Sequence, residues 1–251
     1  MTAESVTAPS APVVELRSVV RRYGGLTAVA GVSLALHAGE VTALVGDNGA
    51  GKSTLSKMIA GVERPDEGTI AIQGEPRRLS GALDAKRQGI EVVYQDLALA
   101  PNLNVASNLF LGREVAGPLG WLKQRQMYRE TRALLDALDV GIPSLRTKVE
   151  RLSGGQRQAI AIARATHWAR VLVVMDEPTA ALGLRETRKV EELIQQMRRR
   201  GLAVMIVSHN LDQVFRVADH VAVMRRGELV ARFRVAETTS DAVVAAITGA
   251  S

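Results

Sequence analysis

Short apolar runs alternate along the chain with segments of helical periodicity. Residues 171–175 and 203–207 are unbroken apolar runs, and residues 41–45 are apolar except for Thr42, a pattern typical of strands that are buried on both faces of a parallel sheet. The segments between them place apolar residues at helical spacing. This order predicts an α/β domain whose main sheet is mostly parallel.

Three earlier segments predict an antiparallel β layer near the N-terminus, beside the main sheet. Residues 13–20 and 32–36 alternate or nearly alternate between apolar and polar positions. Residues 69–73 follow a Pro-Asp-Glu-Gly turn at residues 65–68. Closely spaced strands joined by turns are typical of antiparallel pairing.

Two longer segments have the periodicity of amphipathic helices. Residues 185–200 place four apolar side chains on one face: Val190, Leu193, Ile194 and Met197. This helix is predicted to end at Arg198, Arg199 and Arg200, followed by Gly201 as a left-handed cap. Between about residues 95 and 164 the pattern is mostly helical, with one apolar face formed by Met127, Leu134, Leu135 and Leu138. We expect this segment to be a helical subdomain inserted into the α/β core.

The 251 residues are expected to form one domain over residues 13–251, preceded by a disordered tail at residues 1–12. The tail is rich in Ala, Ser, Thr and Pro and contains no Lys or Arg, so it differs from a signal peptide. No apolar run approaches the roughly 18 residues that span a bilayer, so we expect that the chain does not cross a membrane by itself.

Composition narrows the possible functions. Apolar residues make up 47% of the chain and charged residues 23%, which is typical of a globular protein. The absence of cysteine excludes disulfides and cysteine-based metal sites. Aromatic residues make up 3%, fewer than base-stacking nucleic-acid readers normally have. The net charge of +6 fits nucleic acid, nucleotide phosphates or an anionic membrane surface, and does not choose among them.

Residues 46–53 match the phosphate-binding pattern G-x-x-x-x-G-K-[ST], between an apolar strand and a helical run. Glycines let backbone N–H groups point at phosphate, and the following helix N-terminus adds positive potential. Lys52 would supply a charge to the outer phosphates, and the Ser53 hydroxyl would bind Mg²⁺. The candidate nucleotide-binding residues here are Gly46, Asp47, Asn48, Gly49, Ala50, Gly51, Lys52, Ser53 and Thr54.

Two adjacent carboxylates, Asp176 and Glu177, follow the apolar run at residues 171–175. Open α/β sheets bind ligands at the carboxyl ends of their strands. Asp176 is therefore a candidate Mg²⁺ ligand. Glu177 is a candidate general base for the water that attacks the γ-phosphate.

A third motif, Leu-Ser-Gly-Gly-Gln, occupies residues 152–156, before a helix-compatible stretch. Ser153 and the amides of Gly154 and Gly155 form a second potential anion site at a helix start. With these motifs the chain resembles the nucleotide-binding subunit of ATP-binding cassette (ABC) transporters. The resemblance implies that Ser153, Gly154, Gly155 and Gln156 contact the ATP on the phosphate loop of a second cassette, so that two cassettes enclose two ATP.

The resemblance assigns three further residues. Tyr23 matches the aromatic residue that stacks on adenine, and Gln95 matches the glutamine that contacts Mg²⁺ or the attacking water. His209 matches the switch histidine that contacts the γ-phosphate. Taken together, the resemblance implies that the catalytic residues are Glu177, His209 and Gln95. It implies that the metal ligands are Ser53, Gln95 and Asp176. The other histidines, His37, His167 and His220, match no such position and are interpreted as structural.

One position departs from the family pattern. Where the family usually has an aspartate that contacts the opposite subunit, this chain has Gly183. A glycine cannot make that side-chain contact, which puts in doubt how tightly the two ATP sites are coupled. The catalytic positions are all present, so we expect hydrolysis to persist.

Residues 46–54, the run at residues 93–113 with its segment 94–101, and residues 175–183 are similar to the monosaccharide importer branch of the family. The resemblance implies an ATP- and Mg²⁺-dependent subunit on the cytoplasmic face of the membrane. Its expected partners are a second copy or a like cassette, an integral membrane permease and, indirectly, an extracytoplasmic sugar-binding protein; nucleic acid is not expected. The alternatives are an exporter subunit or an importer of another substrate, a ribosome- or DNA-associated ATPase of the family, and a nucleotide-binding module without turnover.

Overall fold

The computed structural model describes residues 11–118, 120–180 and 182–250, so most of the predicted tail lies outside the described part of the chain. The strands are β1 (Val14–Tyr23), β2 (Leu26–Leu36), β3 (Val41–Val45), β4 (Glu67–Ile72), β5 (Glu75–Arg77), β6 (Ile90–Val93), β7 (Leu172–Asp176), β8 (Ala203–Val207), β9 (His220–Arg225) and β10 (Glu228–Arg234). The helices are α1 (Lys52–Ile59), α2 (Ala82–Arg87), α3 (Val105–Leu109), α4 (Gln124–Ala137), α5 (Gly154–Trp168), α6 (Leu184–Arg199), α7 (Leu211–Val217) and α8 (Ser240–Thr248).

The main sheet has six strands in the order β10-β9-β3-β8-β7-β6. All of its neighbours pair in parallel except β9 and β10. Two of the predicted apolar strands coincide with β3 and β8, whose residues are all buried, and the third becomes β7, one residue later. The mostly parallel α/β core is therefore confirmed.

The predicted antiparallel layer is a four-stranded sheet in the order β2-β1-β4-β5. β1 and β2 extend beyond the predicted segments because they form a hairpin that stays paired up to Tyr23 and Leu26. Their outer ends are exposed, so hydrophobic alternation fades there and does not reveal the strand. This extension places Tyr23 at the last position of β1.

The β9–β10 hairpin was not among the sequence predictions. Its two-residue turn, Arg226 and Gly227, has φ values of +50° and +85°. A turn with two positive φ values matches the right-handed twist of the strands that it connects. The hairpin extends the edge of the main sheet beside β3, where it borders the phosphate loop.

Helices α3 and α4 lie between β6 and α5, which confirms a helical insertion in the α/β core. Its bounds at about 95 and 164 stay a prediction, and α5 continues to Trp168. The predicted apolar face of α4 is buried: Met127, Leu134, Leu135 and, just after the helix, Leu138. Helix α6 ends at Arg199, and Gly201 has φ +80°, which is the left-handed conformation that the predicted glycine cap requires.

Two apolar clusters pack on opposite faces of the main sheet. One joins the sheet to α3–α7, and the other joins it to α1 and to the antiparallel sheet. The main sheet is thus held rigidly between two layers, which fixes the loops at its strand ends. Within the described residues no helix is long and apolar enough to cross a membrane.

Candidate nucleotide-binding site

The phosphate loop connects β3 to α1 and is fixed by close backbone contacts. A Cβ atom on Gly46 would lie 2.1 Å from the carbonyl oxygen of Met224, and one on Gly51 would lie 2.3 Å from that of Ala28. Both glycines also have positive φ, at +147° and +98°. Side chains at these two positions would displace β9 or β2, so glycine is required for the loop to adopt this shape.

We predict that Gly46→Ala lowers both the melting temperature and nucleotide affinity, because the added methyl cannot avoid a backbone atom at 2.1 Å. Thermal unfolding and titration with a fluorescent ATP analogue would measure both. The matched control is Gly141→Ala, where an added Cβ meets no atom within 4 Å. Nucleotide affinity unchanged in Gly46→Ala would show that the loop does not need this close approach.

Lys52 is the first residue of α1, and its side chain folds back over the loop. Its Nζ donates hydrogen bonds to the carbonyl oxygens of Gly46 at 2.6 Å and Asp47 at 2.8 Å. Burial lowers the pKa of Lys52, and the charges of Glu177, Asp47 and Asp176 oppose that shift. A partly desolvated ammonium at a helix start with no side-chain cap has the character of a phosphate-binding group.

A cavity of about 780 Å³ opens over this loop. Of the predicted site residues it is lined by Tyr23, Asn48, Gly49, Ala50, Gly51, Lys52, Ser53, Thr54, Gln95, Asp176, Glu177 and His209. Gly46 and Asp47 do not line it, and they contribute through the carbonyl contacts with Lys52. The structure thus gathers side chains from five separate parts of the sequence around one space.

Sequence reasoning missed several lining residues, among them Leu26, Ala28 and Arg226. They come from the start of β2 and from the β9–β10 turn, whose positions depend on strand pairing. Gly227, after an apolar run, was the available and weak signal for a turn there, because a two-residue hairpin turn favours glycine. No signal in the sequence placed that turn beside the phosphate loop.

Asp176 is the last residue of β7 and Glu177 follows it, and His209 lies two residues after the end of the neighbouring strand β8. Asp176 pairs in register with Val207, so the two strand ends lie side by side. The Glu177 Oε1 and His209 Nδ1 atoms are 2.7 Å apart. Glu177 also has φ +50°, a strained conformation for a non-glycine residue, and its N–H donates to the Val207 carbonyl. The backbone therefore holds this carboxylate in a defined orientation.

The donor set at the cavity fits Mg²⁺. Ser53, Gln95 and Asp176 offer a hydroxyl, an amide oxygen and a carboxylate, all hard oxygen ligands, around the same space. In the described residues no three His, Asp or Glu side chains form a metal cluster. Mg²⁺ is commonly held by one or two carboxylates together with substrate phosphates and waters.

Asp176 carries a charge that the fold does not favour. Burial and the neighbouring charge of Glu177 raise its pKa above the ordinary value of 3.8, and Lys52 opposes them. The folded chain therefore holds this proton more tightly than the unfolded chain does. The contribution of Asp176 to the free energy of unfolding is therefore fully present below the ordinary pKa, and it is lost as the pH rises through the raised pKa of the folded state.

We therefore predict that Asp176→Asn raises the melting temperature of the nucleotide-free chain at about pH 8, although it removes a candidate Mg²⁺ ligand. The difference should shrink as the pH falls towards about 3, below the ordinary pKa, where the wild-type carboxyl is neutral in both states. Thermal unfolding over this range tests it, with the exposed Asp136→Asn as the control. A lower melting temperature for Asp176→Asn at pH 8 would show that attraction to Lys52 outweighs burial.

Tyr23 lines the cavity with one ring face partly covered. The Arg21 guanidinium lies 4.9 Å from the centroid of the Tyr23 ring, and the Tyr23 hydroxyl donates a hydrogen bond to Glu63. Arg21 also pairs with Asp66 at 2.8 Å. The ring is therefore held in place by a small charged cluster and is 42% exposed.

The motif at residues 152–156 lies outside this cavity. Ser153 caps α5 through a reciprocal capping box: its Oγ accepts from the Gln156 N–H at 3.2 Å, and the Gln156 side chain accepts from the Ser153 N–H at 3.1 Å. A Cβ on Gly155 would lie 2.3 Å from the Glu186 Cγ, so α6 packs directly on the motif. Within one chain the structure does not bring this motif to the phosphate loop.

The remaining histidines have local contacts elsewhere. His167 packs edge-on against Phe110 and Trp168, and burial lowers its pKa. The His220 Nε2 lies 3.2 Å from Glu40. Both contacts agree with the structural interpretation.

Comparisons with known proteins match the whole site region. The family model described as ABC transporter matches residues 29–180. The chain is 44% identical to the xylose/arabinose import ATP-binding protein of Sulfolobus acidocaldarius over 93% of each chain, and 44% identical to the fructose import ATP-binding protein of Rhizobium meliloti over 95% of each. A solved ATP-binding cassette of an ABC transporter is 27% identical and superposes with a TM-score of 0.82 over 94% of this chain and 99% of that one. The chain therefore belongs to the ABC transporter family, as one of its ATP-binding cassettes.

Proposed function

We propose that this chain is the ATP-hydrolysing subunit of an ABC importer that takes up a monosaccharide through a membrane permease. The observation that carries the proposal is similarity over 93–95% of the chain to two sugar-import ATP-binding proteins, together with one cavity that is lined by candidate nucleotide-site residues from five parts of the sequence. It works as a peripheral subunit at the cytoplasmic face of the membrane. The permease and an extracytoplasmic sugar-binding protein select the sugar.

ATP lies along the phosphate loop, with its adenine on Tyr23 and its phosphates on the amides of residues 46–54. Lys52 leaves the carbonyls of Gly46 and Asp47 and pairs with the outer phosphates, which are stronger acceptors for an ammonium. Ser53, Gln95 and Asp176 would hold Mg²⁺, which would supply positive charge against the charge that develops on the phosphates.

Glu177 acts as the general base for the attacking water. His209, which already contacts the Glu177 carboxylate, orients it and binds the γ-phosphate. Gln95 lies two residues after the end of β6 and before the helical segment, so it contacts the water or Mg²⁺ and reports to that segment. Charge build-up on the phosphates is then met by donors that are fixed before the reaction begins.

A second copy completes each site. In this chain Ser153, Gly154, Gly155 and Gln156 lie outside the nucleotide cavity and would have no phosphate of their own. Two chains related by a two-fold axis place each motif against the ATP of the other, which is the isologous arrangement that most homodimers adopt. Closure around two ATP moves the helical segment against the permease, and release of phosphate reopens the dimer.

The direct test is ATP hydrolysis by the chain assembled with its permease in liposomes, followed by phosphate release. We expect hydrolysis that is stimulated over the isolated chain, even though Gly183 replaces the usual cross-dimer aspartate. The catalytic side chains line the cavity and Gly183, the N-cap residue before α6, does not. Stimulated hydrolysis indistinguishable from background would contradict the proposal.

A further inference from the structure

A buried glutamine on α7 connects the segments that carry Glu177 and His209. The Gln213 side chain is fully buried, at 0% exposure. Its Oε1 accepts hydrogen bonds from Thr179 Oγ1 at 3.0 Å and from Ser208 Oγ at 3.3 Å. Thr179 lies two residues after Glu177, and Ser208 immediately precedes His209.

The position of this side chain is fixed by the helix to which it belongs. The Gln213 N–H donates to Asn210 Oδ1 at 3.1 Å, and Asn210 caps α7. The Asn210 N–H in turn donates to Ser208 Oγ at 3.1 Å. Gln213 is therefore part of a small network that joins the first turn of α7 to the end of β8, and Thr179 is the member that reaches across from the β7 side.

Stability alone does not explain a glutamine here. Its Nε2 atom is buried and has no hydrogen-bond partner among the described residues. Burying a polar group without a hydrogen-bond partner destabilises the fold, a cost that an apolar residue of similar volume would avoid. What the glutamine provides in return is one acceptor atom shared by the two segments.

We propose that Gln213 is a positioning residue that sets the geometry between Glu177 and His209 by holding Thr179 and Ser208 on one oxygen. This inference rests on the proposed ATPase function and adds a role outside the nucleotide cavity, since Gln213 does not line it. Without the shared acceptor, the two strand ends keep their backbone register but the loops beyond them are free to separate. The 2.7 Å contact between the base and its histidine would then be lost in part of the molecules.

The test measures kcat and KM for ATP in the assembled transporter. We expect Gln213→Leu to lower kcat by on the order of tenfold, because a small misplacement of a catalytic group has effects of at least this size, with KM unchanged. Thr179→Val should act in the same direction, and Thr179→Ser, which keeps the hydroxyl, should restore turnover close to wild type. The double variant Thr179→Val/Gln213→Leu should be no slower than Gln213→Leu, because both changes remove the same hydrogen bond between Thr179 and Gln213.

The matched control is Thr131→Val on α4. Thr131 is also fully buried, and its hydroxyl donates to the Met127 carbonyl at 2.7 Å, so this variant loses one buried hydrogen bond away from the nucleotide cavity. We expect a lower melting temperature with unchanged kcat. Three results would each overturn the role of Gln213: an unchanged kcat in Thr179→Val, an equal fall in kcat in Thr131→Val, or a raised KM with an unchanged kcat in Gln213→Leu. Absence of stimulated hydrolysis in the wild-type transporter would instead overturn the proposed function, and this inference with it.

Discussion

Glu177→Gln is expected to lower ATP turnover by about a thousandfold while ATP binding survives, since general base catalysis commonly contributes 10²- to 10⁴-fold. The amide keeps the size of the side chain and can still contact His209, but it cannot take a proton from water. The phosphate loop and Lys52 are untouched, so the variant should accumulate as an ATP-bound dimer. Phosphate release and gel filtration with ATP measure the two effects.

The control for this variant is Glu228→Gln, at the exposed start of β10. It makes the same chemical change outside the nucleotide cavity and should hydrolyse ATP at the wild-type rate. Turnover that is unchanged in Glu177→Gln would remove Glu177 as the base. A loss of both binding and turnover would show that the substitution damages the site instead of the chemical step.

The second large effect is a rescue on mixing two inactive variants. Lys52→Ala removes the ammonium at the phosphates, and Ser153→Arg places a bulky side chain at the cap of α5. Each homodimer should be inactive. In a mixed dimer, the intact Lys52 of one chain faces the intact Ser153 of the other, so one of two sites is complete.

An equal mixture should therefore recover up to about a quarter of wild-type hydrolysis, because half of the dimers are mixed and each carries one of two sites. Hydrolysis after refolding or co-expression of the two variants in the assembled transporter is the measurement. Mixing wild type with either variant calibrates the dimer exchange. No recovery above the separate variants would contradict a site that is shared between two copies.

Much of the candidate site could be predicted because its chemistry coincides with local sequence patterns. The phosphate loop joins an apolar strand to a helix, and Asp176 ends another strand, so their types and neighbours follow from short-range signals. Parallel strands also bring their carboxyl ends to one edge of a sheet. The side-by-side placement of Asp176 and His209 follows from that geometry.

What could not be predicted depends on pairing between distant strands. β9 and β10 were missed, and with them the position of Arg226 at the cavity. The contact of Gly46 with Met224 joins residues that are far apart in the sequence, and no periodicity encodes it. Gln213 occupies a short helix, where a polar residue is ordinarily solvated, so its burial became visible only in the packed structure.

Uptake of a labelled sugar tests the central claim most directly. In a strain that lacks this chain, the account predicts lost uptake of at least one of labelled xylose, arabinose, fructose and ribose. Uptake should return with the wild-type chain and not with Glu177→Gln, expressed at equal levels. Uptake of all four sugars that is unaffected by removing the chain, or that is restored equally by Glu177→Gln, would contradict an ATP-driven monosaccharide importer.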